Sequence, residues 1–317
     1  MKNSPFRPFA SLAILIPLFA IGNPLPEGDT GIAARYPGDA RISNDPEVIF
    51  ADDFEGHATK ADLSSIWTSV FNQTSLTKEK ENVFRGEQAI EFAVPADRIM
   101  ASGAARYLLR EEQKQDVVFL RYYSKFARTY DVLGGAHNGG AISANMYDNR
   151  GRSSAGTRAN GKNHFVAALD HGRWPGFGVE NPGFLGIYIY HLGQRHQWGD
   201  GFFPTGMVIP NSSLKADFGP DFVARPNIVT ELGTWHCHEL MLRANTPGKK
   251  DGRAAAWVDG TLAMDFPNLH CRDIESLKID HLQIGLNINT KKHPATKKWY
   301  DNVVAATSYI GPVKAAD

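Results

Sequence analysis

From residue 48 to residue 312 the chain is a succession of short apolar or alternating runs, each closed by Gly, Asn, Asp or Pro, and nowhere does it sustain a helical period. Alternation puts successive side chains on opposite faces of an extended chain, so each run buries one face and needs a second layer to cover it. Twelve such runs are legible, at 48–54, 89–94, 104–109, 117–126, 141–147, 163–169, 186–191, 234–244, 253–258, 261–266, 276–285 and 299–307. That many strands in one continuous stretch suits a single two-sheet sandwich better than two domains. The fold class read from the pattern is all-β. A weak helical stretch around 60–67 is the exception, and no internal repeat is visible.

Local topology follows from two further signals. Asp259-Gly260 separates the runs 253–258 and 261–266, and an Asp-Gly pair is a strong hairpin signal because both turn residues must accept positive φ. The polar loop from Asn245 to Gly252 ties the preceding run to this hairpin, which predicts a three-stranded meander.

Ahead of the fold, Lys2 and Arg7 precede a short apolar run from Leu12 to Ile21, interrupted by Pro17. Residues 1–22 have the layout of an export signal peptide, and the run is too short to span a bilayer. Residues 23–45, with Pro24, Pro26, Gly28, Gly31, Pro37 and Gly38, read as a flexible lead-in, and 46–313 as the folded domain. The mature chain is expected to be secreted or periplasmic. Thirty-four basic residues balance 34 acidic ones, so no long-range field draws the chain to nucleic acid or anionic lipid, and partners must be recognised locally. Cys237 and Cys271 are too few for a disulfide scaffold and lack the spacing of a zinc ribbon or redox pair. Export would permit one disulfide between them; the other reading is two buried free thiols.

Residues able to carry chemistry gather around the run 186–191. Ile187 and Ile189 should enter the core while Tyr188 and Tyr190 stand together on the other face, followed by His191, Gln194, His196 and Trp198 within eight residues. His137 and Asn138 lie in a glycine-flanked segment, where a ligand or another backbone can approach closely, and His164 follows Arg158 at the start of the next run. His236 and His238, two apart on one strand, make half of a zinc site whose third ligand spacing does not identify. Asp52, Asp53 and Glu55 offer hard oxygens that would meet Asp301 and Asn302 if the first and last strands pair, which makes Glu55 and Asp301 candidate ligands of a structural calcium. There is no Gly-x-Ser-x-Gly elbow, no phosphate loop and no carboxylate pair spaced for glycoside hydrolysis.

Taken in order, Gly134-Gly135 with Gly139-Gly140, Tyr188-x-Tyr190-His191-x-x-Gln194, Gly199-Asp200, Trp235, Asn245-Thr246-Pro247-Gly248, Trp257-Val258-Asp259-Gly260 and Tyr300-Asp301-Asn302-Val303-Val304 resemble the jelly-roll polysaccharide lyases that act on alginate and glucuronan. The resemblance spans residues 48 to 312. It implies a concanavalin A-like jelly-roll β-sandwich of two antiparallel sheets holding an anionic polysaccharide. Such lyases work by metal-independent β-elimination. The uronate carboxylate is neutralised, the proton on carbon 5 is removed, and the glycosidic oxygen leaves.

The family's paired tyrosines carry over to Tyr188 and Tyr190. Its Gly-Gly-Lys reads Gly-Gly-Ala-His here, so His137 stands near the absent lysine, and its Ser-x-Arg pair has no counterpart at 163–169, where His164 is the nearest ionisable group. The resemblance thus implies Tyr190 as base or acid, Tyr188 as its partner or a subsite wall, and His137 or His164 as second proton carrier. Arg158, Asn138 and Gln194 would attend the sugar carboxylate, His191 would bind substrate and help favour the phenolate, and Trp198 would stack on a sugar ring. The same departures make a non-catalytic, lectin-like carbohydrate binder the alternative expectation.

Overall fold

The computed structural model describes residues 24–144, 155–173, 179–209 and 218–315. The signal peptide read over residues 1–22 lies outside them. Seventeen strands are described: β1 (Val48–Asp52), β2 (Ser69–Phe71), β3 (Thr74–Thr77), β4 (Ala89–Val94), β5 (Met100–Tyr107), β6 (Val117–Phe126), β7 (Ala136–His137), β8 (Gly140–Ala144) and β9 (Phe165–Gly172), then β10 (Phe184–Tyr190), β11 (Asp200–Phe202), β12 (Val208–Ile209), β13 (His236–Arg243), β14 (Gly252–Val258), β15 (Thr261–Leu269), β16 (Ile279–Ile288) and β17 (Thr296–Ala306). Each of the twelve expected runs overlaps one of them. The five that escaped notice, β2, β3, β7, β11 and β12, are two to four residues long, too short for alternation to register.

The strands form two antiparallel sheets. One has the order β15-β14-β13-β6-β17-β4-β3, with β1 also pairing β17; the other has the order β12-β11-β10-β9-β8-β16-β5-β2, with β7 also pairing β16. The meander is present as β13-β14-β15, and its turn residues Asp259 and Gly260 both have positive φ, 49° and 79°. The expected helical stretch is a single turn, Lys60–Leu63, with a capping box from Thr59 and Asp62. Between the sheets Ile90, Phe92, Leu120, Leu169, Ile187, Ile189, Phe266 and Ile284 form the main core, one apolar face from each layer.

The outer faces of the two sheets are treated differently. Phe119, Met241, Ala255, Trp257, Leu262 and Val304 point outward from the first sheet and form a second apolar cluster with Ile32, Ala33, Ile42, Tyr309 and Ile310. Residues 24–45, expected as a flexible lead-in, are therefore a structured cover. Ile32 and Ala33 donate backbone hydrogen bonds to the carbonyls of Tyr309 and Ile310, and three short 3₁₀ turns carry the chain across the sheet. Glycines and prolines gave that stretch a loop composition; three well-placed apolar side chains fasten it. Among the described residues the second sheet has no such apolar cover, and its outer face carries the candidate site.

A disulfide between Cys237 and Cys271 is not formed: both thiols are free and buried. Cys237 lies beside the Val258/Thr261 end of the meander and Cys271 just past the Gly252/Leu269 end. Six residues of strand at about 3.3 Å each put them roughly 20 Å apart, whereas bridged Cα atoms must lie within about 7 Å.

Candidate functional site

Strand β10 carries the site because its alternation holds. Leu185, Ile187 and Ile189 are fully buried in the core, and Tyr188 and Tyr190 project to the outer face, opposite Ala168 and Val166 of β9. The row through Tyr188 continues to Ala168, Ala141 of β8 and Gln283 of β16. Small side chains next to the phenol leave an open cleft of about 320 Å³, lined among others by His137, Asp170, Tyr188, Trp198, Phe203 and Ile209.

The two tyrosines differ in setting. Tyr190 is 3% exposed, its ring beside His164 at 5.3 Å between centroids, and among the described residues its hydroxyl has only long contacts, 3.4 Å to the Gly156 N–H and 3.4 Å to the Tyr188 hydroxyl. Tyr188 is half-buried and lines the cleft, and its oxygen accepts a 2.8 Å hydrogen bond from the Gly199 N–H. Glycine is required at 199: an added Cβ would lie 2.6 Å from the Ile189 carbonyl oxygen and 3.0 Å from the Tyr188 ring. Burial, then the neighbouring Tyr190, raises the Tyr188 phenol well above its ordinary value, so it stays protonated. The open phenol is thus Tyr188, and Tyr190, expected as the principal acid or base, lies covered behind it.

His137, on β7, stands against Tyr188 with ring centroids 4.8 Å apart. Its Nδ1 lies 2.8 Å from Asp170 Oδ2, and the other carboxylate oxygen accepts the Asn138 N–H at 2.8 Å. Burial draws the imidazole down and the Asp170 carboxylate more than offsets it, leaving His137 above its ordinary value. Asp170 was missed in the sequence; its signal was the alternation of β9, which puts it on the same face as Ala168.

Asn138 is not at the cleft. It is fully buried and its amide is committed: Nδ2 donates to Tyr130 Oη and to the His171 carbonyl, and Oδ1 accepts the His171 N–H. Its carbonyl accepts from Lys298 Nζ and Tyr300 Oη. The next residue, Gly139, passes so close to β9 that a Cβ would lie 1.7 Å from the Leu169 carbonyl oxygen. Gln194 is likewise buried and spent, accepting the His191 N–H and donating to the carbonyls of His196 and Trp198. Both amides shape the loops that present His137 and Trp198, and neither reaches a sugar. His191 follows Ile189 to the inner side of the sheet, where its Nε2 lies 2.9 Å from Asp200 Oδ2, opposite in face to the tyrosines.

His164 is 1% exposed beneath Tyr190, with Nε2 unpartnered and its pKa lowered by burial. Arg158 is exposed, on the segment that also carries Gly156. Trp198, 49% exposed, forms one wall of the cleft.

Glu55 and Asp301 both serve the turn 84–88. Glu55 Oε1 accepts the N–H groups of Glu87 and Gln88, and Asp301 Oδ2 those of Phe84 and Arg85. Burial, with Glu55 adding to it, pushes the Asp301 carboxyl up to about 8, a group short of positive charge. These two carboxylates fit calcium only in part, because among the described residues no group of three His, Cys, Asp or Glu is spaced to hold a metal ion. The same holds for the zinc half-site: His236 is bound to Asp259 and His238 is stacked on Tyr122 and within 3.3 Å of Ser124 Oγ.

No family model and no curated protein matches this chain. Solved structures do. A double mutant of the alginate lyase Aly36B, in complex with an alginate tetrasaccharide, superposes with a TM-score of 0.56 at 15% identity, over 83% of this chain and 98% of that one. The PL-14 alginate lyase from Aplysia kurodai gives 0.53 at 11% identity, over 82% and 99%. The Chlorella virus alginate lyase vAL-1 gives 0.52 at 12%, over 76% and 90%. At such identities the likeness concerns the backbone, and this chain has the jelly-roll β-sandwich fold found in polysaccharide lyases.

Proposed function

We propose that this protein is an exported polysaccharide lyase that cleaves a uronate-containing glycan by β-elimination. The observation that carries this reading is the open cleft in which His137 and Tyr188 stand side by side, 4.8 Å between ring centroids, with Asp170 behind the histidine. β-Elimination needs a group to remove the proton on carbon 5 and another to protonate the departing oxygen. An imidazole and a protonated phenol on one wall supply both. Trp198 offers a face on which a neighbouring sugar ring can stack. The cation we assign to the uronate carboxylate is Arg158, which is exposed and outside the described lining of the cleft but on the segment whose Gly156 lies against Trp198; one donor at that carboxylate would be worth about 3 kcal/mol of barrier. That related folds are alginate lyases supports uronans as the first substrates to try. The test is to follow the ultraviolet absorbance of unsaturated product when purified protein meets alginate, glucuronan and other uronans. No product across the panel would refute it.

The second reading is a carbohydrate-binding protein without turnover. It is favoured by the makeup of the cleft, since none of its described lining residues is a lysine or arginine. Calorimetric binding of a uronan with no product formed would establish it.

A further inference from the structure

The geometry points to Asp170 as the positioning residue that makes His137 the proton acceptor, an inference that rests on the β-elimination reading above. A carboxylate only accepts hydrogen bonds. With Asp170 Oδ2 at 2.8 Å, His137 Nδ1 must carry a proton, and Nε2 on the far side of the ring is left as the basic atom. The His137 side chain is 40% exposed, and the residue lines the cleft.

Asp170 is itself held. Its Oδ1 accepts the Asn138 N–H, and Asn138 is gripped by Tyr130, His171, Lys298 and Tyr300 in the buried layer between the sheets. Among the described residues the charged and titratable groups around His137 are Asp170 and His171 on β9, the latter kept neutral by burial, Tyr188 on β10, and Lys298 of β17 behind Asn138; its partner on β16 is the neutral Asn287. Tyr188 is the proton donor of the pair. Burial keeps its phenol protonated, and its O–H, which points to the Tyr190 oxygen at a long 3.4 Å, holds a proton it can give away.

The step balances within the site. His137 Nε2 takes the proton from carbon 5, and that C–H electron pair becomes the double bond between carbons 4 and 5. The bond from carbon 4 to the glycosidic oxygen breaks, and that oxygen takes the Tyr188 proton. Proton transfer from the His137 imidazolium to the Tyr188 phenolate, directly or through water, restores both groups.

The experiment compares wild type with Asp170→Asn and Asp170→Glu on whichever uronan is cleaved. Replacing an orienting carboxylate by its amide costs about 10⁴-fold in a serine protease. Here kcat should fall by about 10²–10⁴-fold with KM little changed, and Asp170→Glu should recover part of the loss. In Asp170→Asn the acidic limb of the kcat/KM profile should move to lower pH, because the charge that raises His137 is gone. Nitrogen-15 spectra of the wild-type protein without substrate should show the tautomer protonated on Nδ1, a readout independent of folding in the variants. An active wild type whose Asp170→Asn variant keeps its rate and pH limb, or a His137 protonated on Nε2 alone, would overturn the assignment of Asp170 and leave the lyase reading standing. A wild type without turnover would overturn both.

Discussion

Replacing Tyr188 by Phe removes one oxygen and leaves the ring, so its effects can be worked out from contacts. The oxygen is the acceptor for the buried Gly199 N–H at 2.8 Å. A donor left unpaired costs about 1–3 kcal/mol, and the cleft, which admits water, puts this one near 1 kcal/mol. In a domain of this size each kcal/mol moves the melting temperature by roughly 2–4 °C, a small but measurable fall. The effect on turnover should be far larger, since a positioned general acid contributes roughly 10²–10⁴-fold. Tyr190→Phe is the control. Among the described residues its hydroxyl contacts are both 3.4 Å, beyond the range of strong O–H···O bonds, so the rate should stay within about tenfold of wild type. Initial rates of unsaturated product on one uronan, with thermal denaturation of each variant, decide it. If Tyr190→Phe proves the crippled variant while Tyr188→Phe keeps more than about a tenth of the rate, the division between the open and covered phenols is mistaken.

Lys298→Met should stabilise the protein near neutral pH by about 1–4 kcal/mol, because a buried amine, which must either hold its charge away from water or give up its proton, is exchanged for an apolar side chain of similar length while the Asn138 carbonyl keeps its bond from Tyr300. Burial holds the Lys298 ammonium well below its ordinary 10.5, so the wild-type fold gains stability as pH rises toward that value, and the advantage of the variant should vanish there; urea denaturation at pH 6 and pH 10 reads the difference. Asp301 has the opposite sign: with its pKa moved from 3.8 to about 8, the fold prefers the protonated acid, and that contribution is lost as pH rises through this window. Calcium between Glu55 and Asp301, still a proposal, should therefore raise the melting temperature above pH 8 and leave it unchanged near pH 4; equal shifts at both would count against it. Both thiols, pushed up to about 12 by burial, should be silent to a thiol reagent in the native protein, titrate as two on unfolding without reductant, and leave the melting temperature unaltered when reductant is added.

How much of this was legible beforehand divides along a physical line. Alternation is a property of neighbouring residues, so the strand set, the Asp259-Gly260 hairpin and the outward pair Tyr188 and Tyr190 could all be read from the order of residues. What a side chain meets on the next strand depends on register and sheet order. Asp170 reaches His137 across 33 residues because β9 runs on past its pairing with β8 and there meets β7, which pairs β16, and no local pattern announces that. Proximity in sequence makes His191 look like a neighbour of the tyrosines, although the same period of two sends it to the opposite side. Asn138 and Gln194 looked like substrate ligands by residue type, but only the packing shows their amides already bonded. The segment 24–45 had the composition of a loop, and the exposed apolar face of the first sheet turned it into a cover. The sequence by itself determined which faces are apolar and which carry chemistry, since those are sums over adjacent residues. Tertiary structure decided which polar groups remain free, because hydrogen-bond partners are shared out among strands that the chain brings together from far apart.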